Sequence, residues 1–257
     1  MAASVSSAFR LDGRRALVTG ASRGIGRAIA LGLATQGAEV LLHYHQDSDA
    51  AGNALREIKA GGGAGAIVQA DLIQPAGADA LAKQALAGGK LDILVLNASI
   101  QERKHLTEVD HALFQRHVDA NLWSALRLIQ ATLPAMAERR WGRIVGIGSV
   151  QQVRPNPNLL AYAGLKSALS TMLRSLAREY AAQGVTCNVL APGLIDTDRN
   201  DELKQNDALY RSILARIPAG QAGTAEDCVG AALLLCSDAG RYITGVDLLV
   251  DGGMHLP

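Results

Sequence analysis

A tyrosine and a lysine stand four residues apart in Tyr162-Ala163-Gly164-Leu165-Lys166. On a helix that spacing places both side chains on one face. A free phenol titrates at about pH 10, too high for a proton carrier at neutral pH. A neighbouring ammonium stabilises the phenolate and makes it a better one. The chemistry such a pair could do is proton transfer to or from an oxygen, although a surface Tyr and Lys can share the same spacing. A second feature lies near the start of the chain. Thr19–Gly26 reads TGASRGIG, with glycines at 20, 24 and 26. Glycines there let the backbone turn tightly and approach a pyrophosphate, and a helix opening behind them offers free N–H groups to the phosphates. The spacing is Gly-x-x-x-Gly-x-Gly, not the commoner Gly-x-Gly-x-x-Gly.

Elements that could position these groups alternate along the chain. RALVTG at Arg15–Gly20 reads as a buried strand, and Ile25–Gly37 as a helix closing on glycine. AEVLLHY, GAIVQAD, Leu91–Ser99, Gly142–Ser149, VTCNVLAPG and DLLVDGG read as six further strands. Between them fall helical stretches, among them a long one from about Glu108 to Glu138 and another across Leu160–Ala182. Strand–helix alternation requires crossover connections, so the fold class is α/β: a single, doubly wound, mainly parallel seven-stranded sheet with helices on both faces. Runs such as LVLN and IVGIG lack inside/outside alternation, as expected of strands covered on both sides. No linker or shift of composition divides the 257 residues, which read as one domain. The glycine loop falls between the first strand and the first helix, where a phosphate cradle belongs.

Composition excludes some function classes. Lys and Arg exceed Asp and Glu by one, so no overall charge recruits nucleic acid or a membrane surface. The basic cluster Glu138–Arg143 reads as a solvated helix end. Cys187, Cys228 and Cys236 are odd in number and widely spaced, which suggests neither a disulfide framework nor a zinc knuckle. No apolar run approaches a membrane span, and the N-terminus lacks the apolar core of a signal peptide. A cytoplasmic setting is expected. His105, His111 and His117 are spaced by six, which turns each away from the last on a helix, so a metal site is not expected.

TGASRGIG, followed in order by LNAS, NLW, a serine after the fifth strand and YAGLK, resembles the short-chain dehydrogenase/reductase family. NVLAPGLIDTD and YITGVDLLVDGGM are most similar to its 3-oxoacyl-[acyl-carrier-protein] reductase branch, and the likeness runs from Leu11 to Met254. The resemblance implies a Rossmann-type NAD(P)-binding domain and an enzyme acting on CH–OH donors or their ketones. It implies a catalytic set of Asn121, Ser149, Tyr162 and Lys166. Ser149, thirteen residues before Tyr162, would hold the substrate carbonyl. Tyr162 would move the proton, Lys166 would support it and hold the nicotinamide ribose, and Asn121 would link a water chain to the lysine. Cofactor contacts carried over in the same way are Gly20, Ser22, Arg23, Gly24, Ile25, Gly26, Asp71, Leu72, Asn97, Ala98, Ser99, Pro192, Gly193, Ile195 and Thr197, besides Tyr162 and Lys166. Asp71 would face the adenine, Asn97 its ribose, and Thr197 the carboxamide. Relatives are usually tetramers, so a homotetramer is expected. One departure stands out: the family usually has Asn-Asn-Ala-Gly where this chain has Leu96-Asn97-Ala98-Ser99. The serine adds a side chain near the nicotinamide half, which bears on the substrate pocket and the fit of the cofactor.

NAD recognition places an acid at the end of the second strand, on the ribose 2′-hydroxyl. Here His43, Tyr44 and His45 occupy that end, and Asp47 lies beyond it. Arg23 is placed to meet a 2′-phosphate, with His45 assisting, so NADP(H) is preferred over NAD(H). The polar segment Asp196–Gln221 follows the sixth strand at the edge where ligands bind, and reads as a substrate lid. The substrate expected first is a 3-oxoacyl thioester. Polar candidates for the pocket (Gln101, Gln151, Gln152, Arg154 and Asn156) keep a sugar, sugar acid or polyol open, whereas an acyl chain would favour Leu194, Leu203 and Leu209. A non-catalytic dinucleotide sensor is the reading from another class, and a complete Ser149/Tyr162/Lys166/Asn121 set argues against it.

Overall fold

The computed structural model describes residues 5–257. Seven strands form one sheet: β1 (Arg15–Val18), β2 (Glu39–Tyr44), β3 (Ala64–Gln69), β4 (Ile93–Leu96), β5 (Gly142–Ile147), β6 (Val185–Pro192) and β7 (Asp247–Val250). Their order is β3-β2-β1-β4-β5-β6-β7, and every pairing is parallel. Leu17 of β1 stands beside Leu41 on one side and Leu94 on the other. The chain leaves β1 toward β2 and returns to β4 on the opposite side. That reversal opens a crevice at the carboxyl ends of β1 and β4, where connections part in opposite directions.

The helices of eight residues or more are α1 (Gly24–Thr35), α2 (Ser48–Ala60), α3 (Gly77–Ala87), α4 (His111–Val118), α5 (Ser124–Glu138), α6 (Leu160–Tyr180), α7 (Asp207–Leu214) and α8 (Asp227–Cys236). They bury both faces of the sheet. Along β4, Leu94 and Leu96 join a core with Leu81, Leu128 and Leu173, while Ile93 and Val95 join a second with Ile29, Leu33 and Leu235. Successive side chains still alternate, but both sides meet apolar helices. Hence β1, β4, β5 and β6 are buried throughout, and only the edges β3 and β7 are more open.

Two sequence expectations change. The long helix starts at His111, because the Asp110 carboxylate accepts the Leu113 N–H at 2.8 Å and caps it there. It continues from α4 to α5 through one π-helical stretch, Asp119–Trp123, which carries Asn121. The Glu138–Arg143 cluster is also not simply a solvated end. Arg143 lies buried in β5 and pairs with Asp238 at 2.9 Å, while Trp141 lies under the Arg14 guanidinium, 3.6 Å from its centroid. The half-exposed Asp238 carboxylate and the Trp141 ring, whose centroid lies 4.3 Å from the Arg143 guanidinium, stabilise this charge where a local reading sees only solvent.

Candidate active site

A cleft of about 750 Å³ opens at the carboxyl ends of the strands. Every residue named above as a cofactor contact lines it, as do Ser149, Gln101, Gln151, Arg154, Asn156, Leu194 and Leu203. Asn121, Gln152 and Leu209 do not. The Gln152 side chain instead accepts the Ser149 N–H at 2.7 Å, and Leu209 faces outward.

The glycine loop is shaped by close packing. Gly20 and Gly24 adopt φ of +64° and +54°, a region that favours glycine. A Cβ on Gly26 would lie 2.3 Å from the Gly20 carbonyl oxygen and 2.4 Å from Asn97 Nδ2. Asn97 clamps this turn from β4. Its Nδ2 donates to the Thr19 and Gly20 carbonyls at 2.8 and 2.9 Å, and the Thr19 hydroxyl accepts the N–H groups of Asn97 and Ala98 at 2.9 Å. The Asn97 Nδ2 is therefore a brace for the loop, while the residue also lines the cleft. The other side is held by His43, whose position at the strand end the sequence gives but whose contact with the loop it does not. Its Nδ1 accepts the Gly20 N–H at 3.0 Å, and its Nε2 lies 3.1 Å from the Ala70 carbonyl. Burial pulls this imidazole down to about 4. The only available signal was that His43 shares a strand face with His45.

At the end of the cleft beside β2, Arg23 is exposed and pairs with Asp198 at 3.7 Å across the opening. His45 Nε2 lies 3.5 Å from the Asp71 carboxylate. Asp47 caps α2 by accepting the Ala50 N–H at 2.8 Å, so its charge serves the helix.

At the other end, Tyr162 and Lys166 fall in the first two turns of α6, and both are buried. Lys166 is 2% exposed, its Nζ donating to the Ile147 carbonyl at 2.6 Å and standing 5.5 Å from the Tyr162 ring centroid. Burial, reinforced by the charge of Arg199, brings this ammonium down to about 7. Ser149 opens a tight turn after β5, its Oγ accepting the Gln151 N–H at 3.2 Å. Asn121 stands behind the wall. Its Oδ1 accepts the Ile100 N–H at 2.8 Å and its Nδ2 donates to the Ile100 carbonyl at 3.0 Å, which ties the π-helical stretch to the segment after β4.

Residues 196–221 cover one side of the cleft. Arg199 from this segment donates to the Ser99 hydroxyl at 3.0 Å and to the Ser99 carbonyl at 2.9 Å. Nothing local in the sequence announces that pair. The segment is anchored below by a parallel bridge between Ile195 and Gly223, and Asn200 Nδ2 donates to the Ile195 carbonyl at 2.7 Å.

A family model described as enoyl-(acyl carrier protein) reductase matches residues 20–255. The 3-oxoacyl-[acyl-carrier-protein] reductase FabG of Escherichia coli (strain K12) is 39% identical over 249 residues, which is 96% of this chain and 100% of that protein. The chain belongs to the short-chain dehydrogenase/reductase family. Solved structures of family members superpose closely. A 3-oxoacyl (acyl-carrier-protein) reductase from Agrobacterium tumefaciens C58 with NADP bound has a TM-score of 0.93 and 39% identity, covering 97% of each chain. A gluconate 5-dehydrogenase from Burkholderia cenocepacia J2315 in complex with NADP and tartrate has a TM-score of 0.91 and 34% identity, covering 98% of each chain. In this family fold the cleft of the present chain is the crevice at the β1/β4 reversal.

Proposed function

We propose that this protein is an NADP(H)-dependent oxidoreductase that interconverts a ketone and a secondary alcohol. The observation that carries the reading is Lys166: a buried cation one turn from Tyr162, in the same cleft as a glycine loop that has no room for a Cβ at Gly26. The residues fit a dinucleotide. The free N–H groups at the start of α1 and the bare backbone of Gly20, Gly24 and Gly26 would hold the pyrophosphate. Arg23 and His45 would meet the 2′-phosphate, and the NADP-bound relatives support that choice. When bound, the nicotinamide supplies the hydride; the protein supplies position and the proton.

Ser149 Oγ donates to the carbonyl oxygen and orients it. Tyr162 delivers a proton to that oxygen as it becomes an alcohol, or removes one in the reverse direction. Lys166 places positive charge beside the phenolic side chain and, near its titration point, can refill the lost proton. Asn121, through Ile100, is a positioning residue for the wall of the cleft.

A 3-oxoacyl thioester is the first substrate class, supported by the FabG relatives. A sugar acid or polyol is the second, favoured by Gln101, Gln151 and Asn156 in the lining. Residues 196–221 act as the lid over a single catalytic domain. The assembly is a homotetramer in the cytoplasm. Support for association comes from the half-buried edge strand β7 and from the exposed Phe114 and Trp123 on the α4–α5 run. Among the described residues, no helix is long and apolar enough to cross a membrane.

The test is a panel of ketones and thioesters run with NADPH and with NADH, following loss of reduced-nicotinamide absorbance. Turnover is expected with NADPH, and Tyr162→Phe should lower kcat by at least ~10²-fold with cofactor affinity retained. Tight NADPH binding with no turnover of any carbonyl would instead favour the dinucleotide sensor.

A further inference from the structure

Among the described residues, Arg199 is a cation without a counter-ion. Around it the acids of the same segment are already engaged: Asp196 and Asp201 with Lys204, Asp198 with Arg23, and Asp207 with Arg211. Among the described residues no carboxylate pairs with Arg199. Its two hydrogen bonds go to the uncharged Ser99. A guanidinium carries five N–H donors, so three remain for something else. Its charge also acts directly on Lys166, which places two positive groups at one end of the cleft. Arg103 and Arg216 line the same cleft, again with no acid partner among the described residues.

Concentrated and unbalanced positive charge facing a cavity calls for an anion from the ligand. The cofactor phosphates already have a cradle, in the glycine loop and in Arg23 and His45 at the other end. Arg199 is instead fixed to the serine that follows Ala98, beside the Tyr162–Lys166 end. The fork geometry of a guanidinium suits a carboxylate, which it can grip with two parallel hydrogen bonds. Ser99 contributes by orientation. A glycine at this position would leave only the carbonyl to hold the guanidinium, whereas the hydroxyl adds a second acceptor and fixes the plane of the fork.

From this we infer that the site also takes small ketones bearing a carboxylate, and that Arg199, aimed by Ser99, is the residue that reads the carboxylate. The inference rests on the ketoreductase reading given above. The reaction is unchanged: the ketone gains a hydride and a proton and becomes a secondary alcohol, the reduced nicotinamide is oxidised, and the carboxylate passes through intact.

The experiment compares four- to six-carbon keto acids with their methyl esters, in the wild type, Arg199→Gln, Arg199→Lys and Ser99→Gly, with a 3-oxoacyl thioester run in parallel. Arg199→Gln is expected to collapse the acid-over-ester ratio of kcat/KM by about 10- to 100-fold, the range of a charge-assisted hydrogen bond. Arg199→Lys should restore part of it, and Ser99→Gly should lose a smaller part. Calorimetry on the NADP⁺-loaded protein gives a readout independent of turnover: D-gluconate should bind more tightly than the uncharged polyol sorbitol, and Arg199→Gln should erase that difference. Thioester turnover with an acid-over-ester ratio indifferent to Arg199 overturns this inference alone. So does a loss of NADPH affinity in Arg199→Gln that matches the loss for the acid, because the arginine would then be reading a cofactor phosphate. If no ketone reacts, the ketoreductase reading falls, and equal binding of gluconate and sorbitol then overturns the carboxylate site as well.

Discussion

The backbone N–H of Gly20 ends on Nδ1 of His43, 3.0 Å away. Because a backbone N–H can only donate, Nδ1 must be the acceptor and the ring proton resides on Nε2, facing the Ala70 carbonyl at 3.1 Å. The glycine loop is therefore held by a neutral imidazole. Burial sets its titration at about 4, against 6.5 for a free histidine. The unfolded chain takes up a proton as pH falls below 6.5 and the folded chain resists until about 4. The contribution is complete above 6.5 and is lost across that window, by roughly 3 kcal/mol. Denaturation midpoints measured between pH 7 and pH 4 should fall in the wild type and fall less steeply in His43→Asn. NADPH affinity should weaken over the same range. Parallel slopes for the two proteins would refute the role of this histidine.

Alanine should act in opposite directions at two glycines. At Gly26 the added carbon meets the Gly20 carbonyl and the Asn97 amide, both braced by hydrogen bonds that leave no room to yield. Gly26→Ala should destabilise the protein by about 1–3 kcal/mol and weaken NADPH binding at least ~10-fold. At Gly164, in α6 between Tyr162 and Lys166, nothing lies within 4 Å of the new carbon. Gly164→Ala should raise stability by about 0.5–1 kcal/mol through helix propensity. Thermal melts of the two variants decide the matter.

Arg23 bears on cofactor choice. Its guanidinium is largely exposed and only loosely paired with Asp198 at 3.7 Å, so it is free to take a 2′-phosphate. Arg23→Ala is expected to raise KM for NADPH by about 10- to 100-fold and to change KM for NADH by less than about 3-fold. An equal change for both cofactors would move Arg23 from the 2′-phosphate to a general role in the loop.

Lys166 titrates at about 7 in the folded protein and near 10.5 when unfolded. Between those values the unfolded chain holds a proton that the folded chain has released, so stability should rise with pH across this interval. Below 7 the buried ammonium remains as a penalty, since burial is the main cause of its shift. Lys166→Met should flatten the rise, be more stable than the wild type near pH 6, and lose turnover. Denaturant titrations at several pH values, with and without NADPH, measure both effects.

Much of this molecule was legible in its order of residues. Apolar runs bounded by glycine and polar loops announced all seven strands, most plainly β1, β4, β5 and β6, which are covered on both faces and need no polar residue. The glycine loop and the Tyr162–Lys166 pair could be read from spacing alone, since each depends only on its own turn or helix. Local cues failed where a cap or a distant partner decided the outcome. Asp110 set the start of α4. Arg143 reads as solvated until β5 buries it and Asp238, far along the chain, pairs with it at the surface.

The sequence by itself determined the α/β alternation, the glycine loop and the pairing of Tyr162 with Lys166 on one helix face, because short-range backbone and helix geometry are sufficient for each. Only the tertiary structure decided that His43 and Asn97 brace that loop from neighbouring strands, and that Arg199 reaches Ser99 across a hundred residues of chain. Those contacts exist because parallel register and the reversal at β1 and β4 bring separate strand ends together. No spacing along the chain encodes which ends will meet.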